Sequence, residues 1–421
     1  MTKEKRLAVK AGSVFTGVPG EQLVSNKVIL VEGDRIVEVA DEGPSMSLDG
    51  YEVIDASNRY VIPGLVNAHV HLEMHRQLGT MHTRYDRPAS AVFMSAVENL
   101  LVELAMGVTT LRDLGSIGTT PADLRDKVAA GEFAGPRIQA AIQMISMTGG
   151  HGQPLCYEAD GVDEITKAVR VQVKKGADVI KLCASGGVVA AIREDPWNQE
   201  LSTEEMSAAV LAAHRAGLKV SAHAQPPQAV KAAVEAGVDT IEHAAFLDDE
   251  GAEMLAEKGA YLVPTMDDSW MAVEFGDELG RPKWIQESAK ASLEYRVKAF
   301  GRAIEAGVTI GVGTDGASEM GREMHRMVES GFKPEQALVA ATHNGAELMG
   351  LKDSVGTIEP GKLADLVILD KNPLEDVRVV DDSVATVVKD GVAYDPNALL
   401  SVCADSVPAR HVRMIRAARS S

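Results

Sequence analysis

The stretch that decides the fold is residues 61–71, which have the sequence VIPGLVNAHVH. The apolar run at residues 61–66 is typical of a buried strand, and its polar end carries His69 and His71. A spacing of two places both imidazoles on the same face of an extended chain. We therefore predict a strand that presents His69 and His71 side by side, where they can bind one metal ion.

The same kind of strand recurs along the chain, each time after a helical stretch that ends at a glycine. With the first run, eight strand candidates result: residues 61–66, 106–111, 137–142, 176–180, 217–220, 237–241, 259–263 and 307–311. Strands that alternate with helices are parallel and joined by right-handed crossovers, so eight units predict an α/β fold of the (β/α)8 TIM barrel type. An open, doubly wound sheet is the alternative on pattern alone, although no Gly-x-Gly-x-x-Gly sequence follows the first strand.

Short strand-like runs near both chain ends predict a second, smaller domain. Residues 27–31 and 35–39 flank a Glu-Gly-Asp turn and indicate a hairpin, and similar runs return at residues 364–369 and 385–388. We expect three regions: a composite β-sandwich domain (1–62 and 352–398), the TIM barrel (63–351) and a basic C-terminal tail or helix (399–421).

Composition and charge limit the partners. The 421 residues include 42 Lys and Arg against 61 Asp and Glu, and a net charge of −19 disfavours binding to nucleic acid. The apolar segments are too short for a secretory leader or a membrane span, so we expect a cytoplasmic protein with no membrane partner. Arginines at every third position of residues 410–419 predict a frayed or subunit-docking helix, and we expect a homo-oligomer.

The cysteines indicate which kind of metal site is excluded. Cys156, Cys183 and Cys403 lie far apart in the sequence and form no Cys-x-x-Cys pair. Neither a disulfide framework nor a thiolate zinc site fits this spacing. A metal ion would therefore need histidine and carboxylate ligands.

Further polar residues end the predicted strands, which is where TIM barrels carry their active sites. They are Lys181, His223, His243 and Asp315. A single histidine at a strand end is usually a hydrogen-bonded structural residue, but four histidines and an aspartate together match the ligands of zinc or manganese. Lys181 needs a special role, because a buried ammonium without a partner is costly.

The chain resembles the amidohydrolase superfamily, in particular its imidazolonepropionase and Xaa-Pro dipeptidase-like branch. The resemblance extends over nearly the whole chain. It is carried by residues 61–71, GVTTLRD at 107–113, TGGHG at 148–152, Lys181 with ASGG at 184–187, IEH at 241–243, GTD at 313–315 and PGKLADL at 360–366.

The resemblance implies a metal centre with two divalent ions, for which zinc is expected. His69, His71 and Asp315 would bind the more buried ion, and His223 with His243 would bind the second. Lys181, carboxylated by carbon dioxide, would bridge the two. A hydroxide on the same pair would attack the scissile amide, and catalytic roles are implied for Asp315, His243 and Lys181, with Asp315 moving the proton to the leaving nitrogen.

The expected substrate is a small molecule with an amide bond, most of all a dipeptide or an N-acyl amino acid. Relatives that deaminate typically have a carboxylate shortly after the strand-five histidine, whereas Ala-Gln-Pro-Pro follows His223 here. Hydrolysis of an amide is therefore favoured. The alternatives are hydrolysis of a cyclic amide, a carbamate or a xenobiotic amide and, from another class, a non-catalytic amidohydrolase-like scaffold.

Candidate contacts to the substrate lie on the loops that follow the strands. We expect His151, Gln225 and Arg193 to bind it, with His151 and Arg193 as the sources of positive charge for a substrate carboxylate. Gln225 stands where relatives that act on dipeptides often have an aromatic residue or a histidine. Trp197 is predicted either to close over the substrate or only to cover the rim of the barrel.

Overall fold

The computed structural model describes residues 5–43, 46–74, 86–188, 195–316 and 319–403, and all structural statements refer to these ranges. The described chain is a mixed α/β protein. Its strands are β1 (Arg6–Val14), β2 (Val24–Glu32), β3 (Arg35–Asp41), β4 (Glu52–Pro63), β5 (Leu65–Val70), β6 (Val108–Asp113), β7 (Arg137–Ala140), β8 (Met144–Ser146), β9 (Cys156–Glu158), β10 (Val179–Cys183), β11 (Lys219–Ala224), β12 (Thr240–His243), β13 (Tyr261–Val263), β14 (Leu366–Leu369), β15 (Val384–Lys389) and β16 (Val392–Tyr394).

The helices lie mainly between the central strands. They are α1 (Ala89–Ala105), α2 (Thr120–Ala129), α3 (Gly161–Lys174), α4 (Thr203–Arg215), α5 (Pro227–Glu235), α6 (Asp249–Lys258), α7 (Asp267–Glu274), α8 (Lys283–Glu305), α9 (Met320–Glu329), α10 (Pro334–Val339), α11 (Gly345–Leu348) and α12 (Pro396–Val402), with a π turn at Ala340–Asn344 and a 3-10 turn at Val377–Asp381. Local sequence explains their ends: Ser202 and Glu205 form a capping box before α4, and Gly259 ends α6 at a φ of 67°.

The central strands are parallel, as their alternation with helices predicts. One sheet runs in the order β13-β12-β11-β10-β8-β9 and a second in the order β5-β6-β7. The amide of Asp178, just before β10, donates to Ala140 O at the end of β7 (2.8 Å), so the two sheets meet there. β6 and β10 are buried along their whole length, and therefore on both faces. Such burial is expected for a parallel sheet that is covered by helices.

The eighth predicted strand, residues 307–311, differs from the others. It makes one isolated parallel bridge, between Ile310 and Leu262, and no regular ladder. Extended backbone nevertheless continues beyond the bridge, where Ala68 N donates to Val312 O at 2.8 Å and Thr314 N donates to His69 O at 3.0 Å. The eighth run thus lies between β13 and β5 and makes two or more backbone hydrogen bonds to each.

The first predicted strand is divided at Gly64. Residues 61–63 end β4 and pair with β14, while Leu65–Val70 forms β5 beside β6. A Cβ on Gly64 would lie 2.1 Å from Thr109 Oγ1, so only glycine allows the chain to pass this close to β6. Residues 61–66 therefore belong to two sheets, and the boundary predicted for this strand is wrong.

Strands from both chain ends form one seven-stranded sheet in the order β16-β15-β14-β4-β1-β2-β3. The hairpin predicted around residues 33–34 is present, since β2 and β3 pair antiparallel from Lys27–Asp41 to Glu32–Arg35. Apolar side chains of β1, β2, β4 and β14 pack into one cluster on this sheet. The arrangement agrees with a domain built from both ends, whereas its division into two packed sheets stays a prediction.

The C-terminal helix α12 packs on α1, where Leu399 contacts the buried pair Leu101 and Cys403. The basic segment predicted at residues 410–419 lies outside the described residues. In the part of the chain that the structure describes, none of the helices is long and apolar enough to span a membrane.

Candidate metal centre

Polar side chains from five different strand ends converge at one end of the central strands. His69 lies on β5 and His71 directly follows it, and Nε2 of each is 3.4 Å from Asp315 Oδ1, which follows the eighth run. Ligand atoms of His69, His243 and Asp315 all lie within 4.8 Å of one another. Three elements far apart in sequence therefore supply nitrogen and oxygen donors close enough to share a cation.

His223 on β11 extends this cluster away from β5. Its ring centroid is 4.5 Å from that of His243 and 3.9 Å from that of His151, and the His151 ring is stacked on it. All three rings are buried. Burial lowers the pKa of His223 and of His243 well below the usual histidine value, so both rings are neutral and able to donate a lone pair.

Lys181 lies on β10 next to this group, directly opposite Ser221 in the pairing with β11. Its side chain is only 1% exposed, and among the described residues no hydrogen-bond partner reaches Nζ. Burial lowers its pKa. A buried amine without a partner is expensive, so the site fits an additional group that the lysine would bind or carry.

The hydrogen bonds behind the histidines decide which nitrogen faces the cluster. His69 Nδ1 is 2.8 Å from Glu242 Oε2, His71 Nδ1 is 2.9 Å from Gly115 O, and His243 Nδ1 is 2.5 Å from Thr265 Oγ1; these bonds leave Nε2 as the donor nitrogen. His223 is the reverse case, since its Nε2 bonds to Gly186 O at 3.1 Å and leaves Nδ1. Metal-binding histidines are typically held in this way by their other nitrogen.

Glu242 and Arg112 form a buried ion pair beneath the cluster that the sequence analysis did not assign. Arg112 Nη2 is 2.8 Å from Glu242 Oε1, and Ser221 Oγ donates to the same oxygen at 2.7 Å. Burial alone would raise the pKa of Glu242, but the charge of Arg112 and the bond to His69 bring it to about 2. Arg112 and Glu242 are opposite charges within apolar strands, and such charges are rarely buried unpaired. This pattern is the sequence signal from which the ion pair could have been predicted.

We expect Glu242→Gln to weaken metal binding about 10- to 100-fold, because the amide no longer provides a charged acceptor for His69 Nδ1. The loss also leaves Arg112 buried without its counter-charge, which should lower the free energy of unfolding by about 3 kcal/mol. Chelator competition and denaturant unfolding measure the two effects. Ser221→Ala is the matched control, since it removes one neutral donor from the same carboxylate and should cost only about 1 kcal/mol. Equal metal affinities in the two variants would contradict a positioning role for Glu242.

The backbone at the strand ends turns through a conformation that non-glycine residues seldom adopt. His243, Thr265 and Asp315 have φ values of 72°, 42° and 57°. Such strain persists where surrounding structure holds it, and it is common at functional sites. Here the three residues lie where β12, β13 and the eighth run end.

Two of the predicted substrate residues, His151 and Gln225, lie at the edge of the histidine cluster. His151 is buried, and its backbone amide donates to Glu200 Oε2 at 2.8 Å. Gln225 is also buried, and its Oε1 accepts from Ala245 N at 3.2 Å, so this side chain ties β11 to the loop after β12. Arg193 lies outside the described residues. A substrate contact from any of the three stays a prediction.

The family model described as "Amidohydrolase family" matches residues 60–393. This chain belongs to the amidohydrolase family. It is therefore a hydrolase that acts on carbon–nitrogen bonds, as the resemblance of its motifs implied. Members of this family generally use a metal, in agreement with the His/Asp cluster.

Several characterised proteins are similar to this amidohydrolase over most of its length. Ochratoxinase of Aspergillus niger is 30% identical over 412 residues, covering 89% of this chain and 84% of the relative. Imidazolonepropionase of Hyphomonas neptunium is 24% identical over 87% of this chain and 94% of its own. A solved structure described as a Xaa-Pro dipeptidase with bound methionine superimposes with a TM-score of 0.86 at 32% identity, over 93% of this chain and 100% of that one. These similarities confirm the branch that the motifs indicated and imply a TIM-barrel-like α/β fold.

Proposed function

We propose that this amidohydrolase hydrolyses the amide bond of a dipeptide or an N-acyl amino acid, using two divalent metal ions bridged by a carboxylated Lys181. Zinc is the metal we propose, because neutral imidazole and carboxylate oxygen suit it. The observation that carries the proposal is that Nζ of Lys181, buried beside the histidine cluster, has no hydrogen-bond partner among the described residues.

The proposed fold is a closed (β/α)8 barrel of residues 63–351 with a composite β-sandwich of residues 1–62 and 352–398. Hydrogen bonds from Ala68 to Val312 and from Thr314 to His69 support closure between the eighth run and β5. Such a barrel brings the carboxyl ends of all its strands to one face, where loops can differ between relatives while the strands stay the same.

The described residues fit two ions that share Lys181. His69 and His71 with Asp315 would bind one ion, and His223 with His243 the other. In carboxylation, the neutral amine of Lys181 would add carbon dioxide and lose one proton to solvent, which gives an anion with two oxygens that the neighbouring cations can offset. When bound, the ions would lower the pKa of water and polarise the scissile carbonyl.

The remaining chemistry belongs to side chains of this protein. Asp315 takes the proton from the attacking water and passes it to the leaving nitrogen, and its side chain is 22% exposed, so substrate can reach it. His243, held through Thr265, lies within reach of the same carboxylate. The products are a carboxylic acid and an amine.

The relatives support more than one substrate class. Similarity to a Xaa-Pro dipeptidase supports a dipeptide, whereas the ochratoxinase and imidazolonepropionase relatives support the alternative of a cyclic or xenobiotic amide. A non-catalytic scaffold is disfavoured because all six proposed ligands are present. Assembly as a homo-oligomer and a cytoplasmic location stay predictions from the sequence.

The proposal predicts that enzyme reconstituted with zinc and bicarbonate contains about two metal ions per chain and prefers substrates with a free carboxylate over their amides by about tenfold. His151→Ala should reduce this preference, because it removes an imidazole N–H that can donate a hydrogen bond to the carboxylate. Elemental analysis and rates on matched acid and amide pairs measure both. Fewer than about one metal ion per chain would exclude the two-metal centre. Equal rates on acids and amides would favour a neutral amide or carbamate substrate.

A further inference from the structure

Three aromatic side chains from separate segments form a stacked group beside the candidate metal centre. Trp197 lies in the loop after β10, Phe246 follows β12, and Tyr295 is on α8. The Trp197 and Phe246 rings are stacked at 4.2 Å, and Tyr295 meets them edge-on at 6.4 Å and 5.3 Å. We refer to Trp197, Phe246 and Tyr295 as the aromatic shelf.

The shelf is built on the strand ends that carry the histidines. Phe246 is three residues after His243, so their Cα atoms lie within about 11 Å of each other. The Phe246 amide donates to Gln225 O at 3.1 Å, and Gln225 is two residues after His223. The shelf is therefore next to the second pair of proposed ligands.

A further link runs through the loop after β10. Gly186 O bonds to His223 Nε2 at 3.1 Å, and Val188, two residues later, packs on Phe246. The loop thus connects the imidazole of His223 to the ring that Trp197 covers. The shelf is thus tied to the loop that holds His223 from behind, while Nδ1 of the same ring faces the cluster.

Two of the three side chains of the shelf are more exposed than aromatic side chains that pack in a core. Phe246 is buried at 9%, whereas Trp197 and Tyr295 are 47% and 51% exposed. The backbone of Trp197 is held at both ends, because its amide donates to Asp195 Oδ1 at 3.0 Å and its carbonyl accepts from Gln228 Nε2 at 2.7 Å. A rigid, half-exposed aromatic surface binds apolar groups without the entropic cost of first ordering its side chains.

We propose that the aromatic shelf is a specificity subsite, which binds a bulky apolar or aromatic side chain of the substrate adjacent to the scissile amide. This inference rests on the proposed function and adds the class of side chain that the site selects. Trp197 provides the stacking face, Phe246 supports it from below, and Tyr295 closes its edge.

The test compares two pairs of substrates with the zinc-loaded enzyme: N-acetyl-phenylalanine against N-acetyl-alanine, and benzoyl-glycine against acetyl-glycine. Trp197→Ala should reduce kcat/KM for the aromatic member of at least one pair about tenfold, and leave its small partner within about twofold. Trp197→Phe should retain most of the preference because it keeps an aromatic face. Tyr295→Ala, at an exposed position, should show a smaller loss with the same selectivity.

A direct binding measurement accompanies the rates. If the subsite binds the amino-acid part of the substrate, titration calorimetry should show that Trp197→Ala weakens the binding of phenylalanine but not that of alanine. If the subsite binds the acyl part, the variant should weaken the binding of benzoate but not that of acetate. Phe93→Ala is the matched control, since Phe93 is an exposed aromatic residue on α1, outside the shelf. It should change none of these values.

The possible failures are distinguishable. If the loaded wild-type enzyme cleaves neither these four substrates nor the matched dipeptides Gly-Phe and Gly-Ala, the proposed function fails. If it cleaves them and Trp197→Ala affects aromatic and small members equally in rate and in binding, the shelf is rim packing and this inference is overturned while the proposed function stands.

Discussion

Replacing Lys181 by alanine is expected to reduce kcat/KM by about a thousandfold or more, equivalent to roughly 4 kcal/mol of transition-state stabilisation, and to release at least one metal ion per chain. The reason lies in the position of Nζ, which is buried beside the histidine cluster without a hydrogen-bond partner among the described residues. A carboxylated lysine would supply two anionic oxygens there. Alanine leaves the neutral imidazoles and Asp315 as the remaining donors.

Three further measurements separate this role from a structural one. Acetate or propionate should restore part of the activity and metal content of Lys181→Ala, because a free carboxylate can fill the space that the side chain leaves. Lys181→Arg should not recover, since guanidinium stays cationic at every accessible pH. With ¹³C-bicarbonate, NMR should detect a carbamate signal in the wild-type enzyme that is missing from Lys181→Ala.

Cys183→Ala provides the matched control for this strand. Cys183 is two residues further along β10 and fully buried, but has no proposed contact to a metal. This variant should keep its metal and most of its activity, with a modest loss of stability from the small cavity. Full activity in Lys181→Ala or Lys181→Arg would remove the lysine from the mechanism.

The positions of most proposed ligands could be predicted from sequence because they depend on local rules. His69 and His71 share a face through the period of an extended strand, and Lys181 stands out as a charge in an apolar run. Parallel strands between helices bring such strand ends to one side of a sheet. The convergence of His69, His243 and Asp315 follows from these rules without any knowledge of loops.

The contacts behind the ligands depend on three-dimensional packing and could not be predicted in this way. Glu242 bonds to His69 and Arg112 across long sequence separations, and the stacking of Trp197 on Phe246 joins two loops of irregular structure. The division of residues 61–66 at Gly64 likewise depends on how closely the chain passes Thr109 on a neighbouring strand. Periodicity reports which face a residue occupies, but not which residue it meets.

Replacing Asp315 by asparagine is expected to reduce kcat by about 100- to 10,000-fold while KM changes by no more than about threefold. Asparagine is nearly the same size, but it cannot accept a proton from water and return it to the leaving nitrogen. Because this loss falls on the transition state, substrate binding should change little. Steady-state kinetics on whichever of the four N-acyl amino acids above is cleaved fastest measure both constants.

Metal content decides how this result is read, because Asp315 Oδ1 is also 3.4 Å from Nε2 of both His69 and His71. Each rate is therefore expressed per metal-loaded chain, with elemental analysis of the same sample. Asp353→Asn is the control for loss of a carboxylate as such, since Asp353 is exposed and belongs to none of the strand ends. An Asp315→Asn enzyme with full metal content and a kcat within about threefold of wild type would exclude Asp315 as the group that moves the proton. A fall in kcat that disappears when excess metal restores full occupancy would instead make Asp315 a ligand alone, and the proton transfer would then need another acceptor at the same end of the strands.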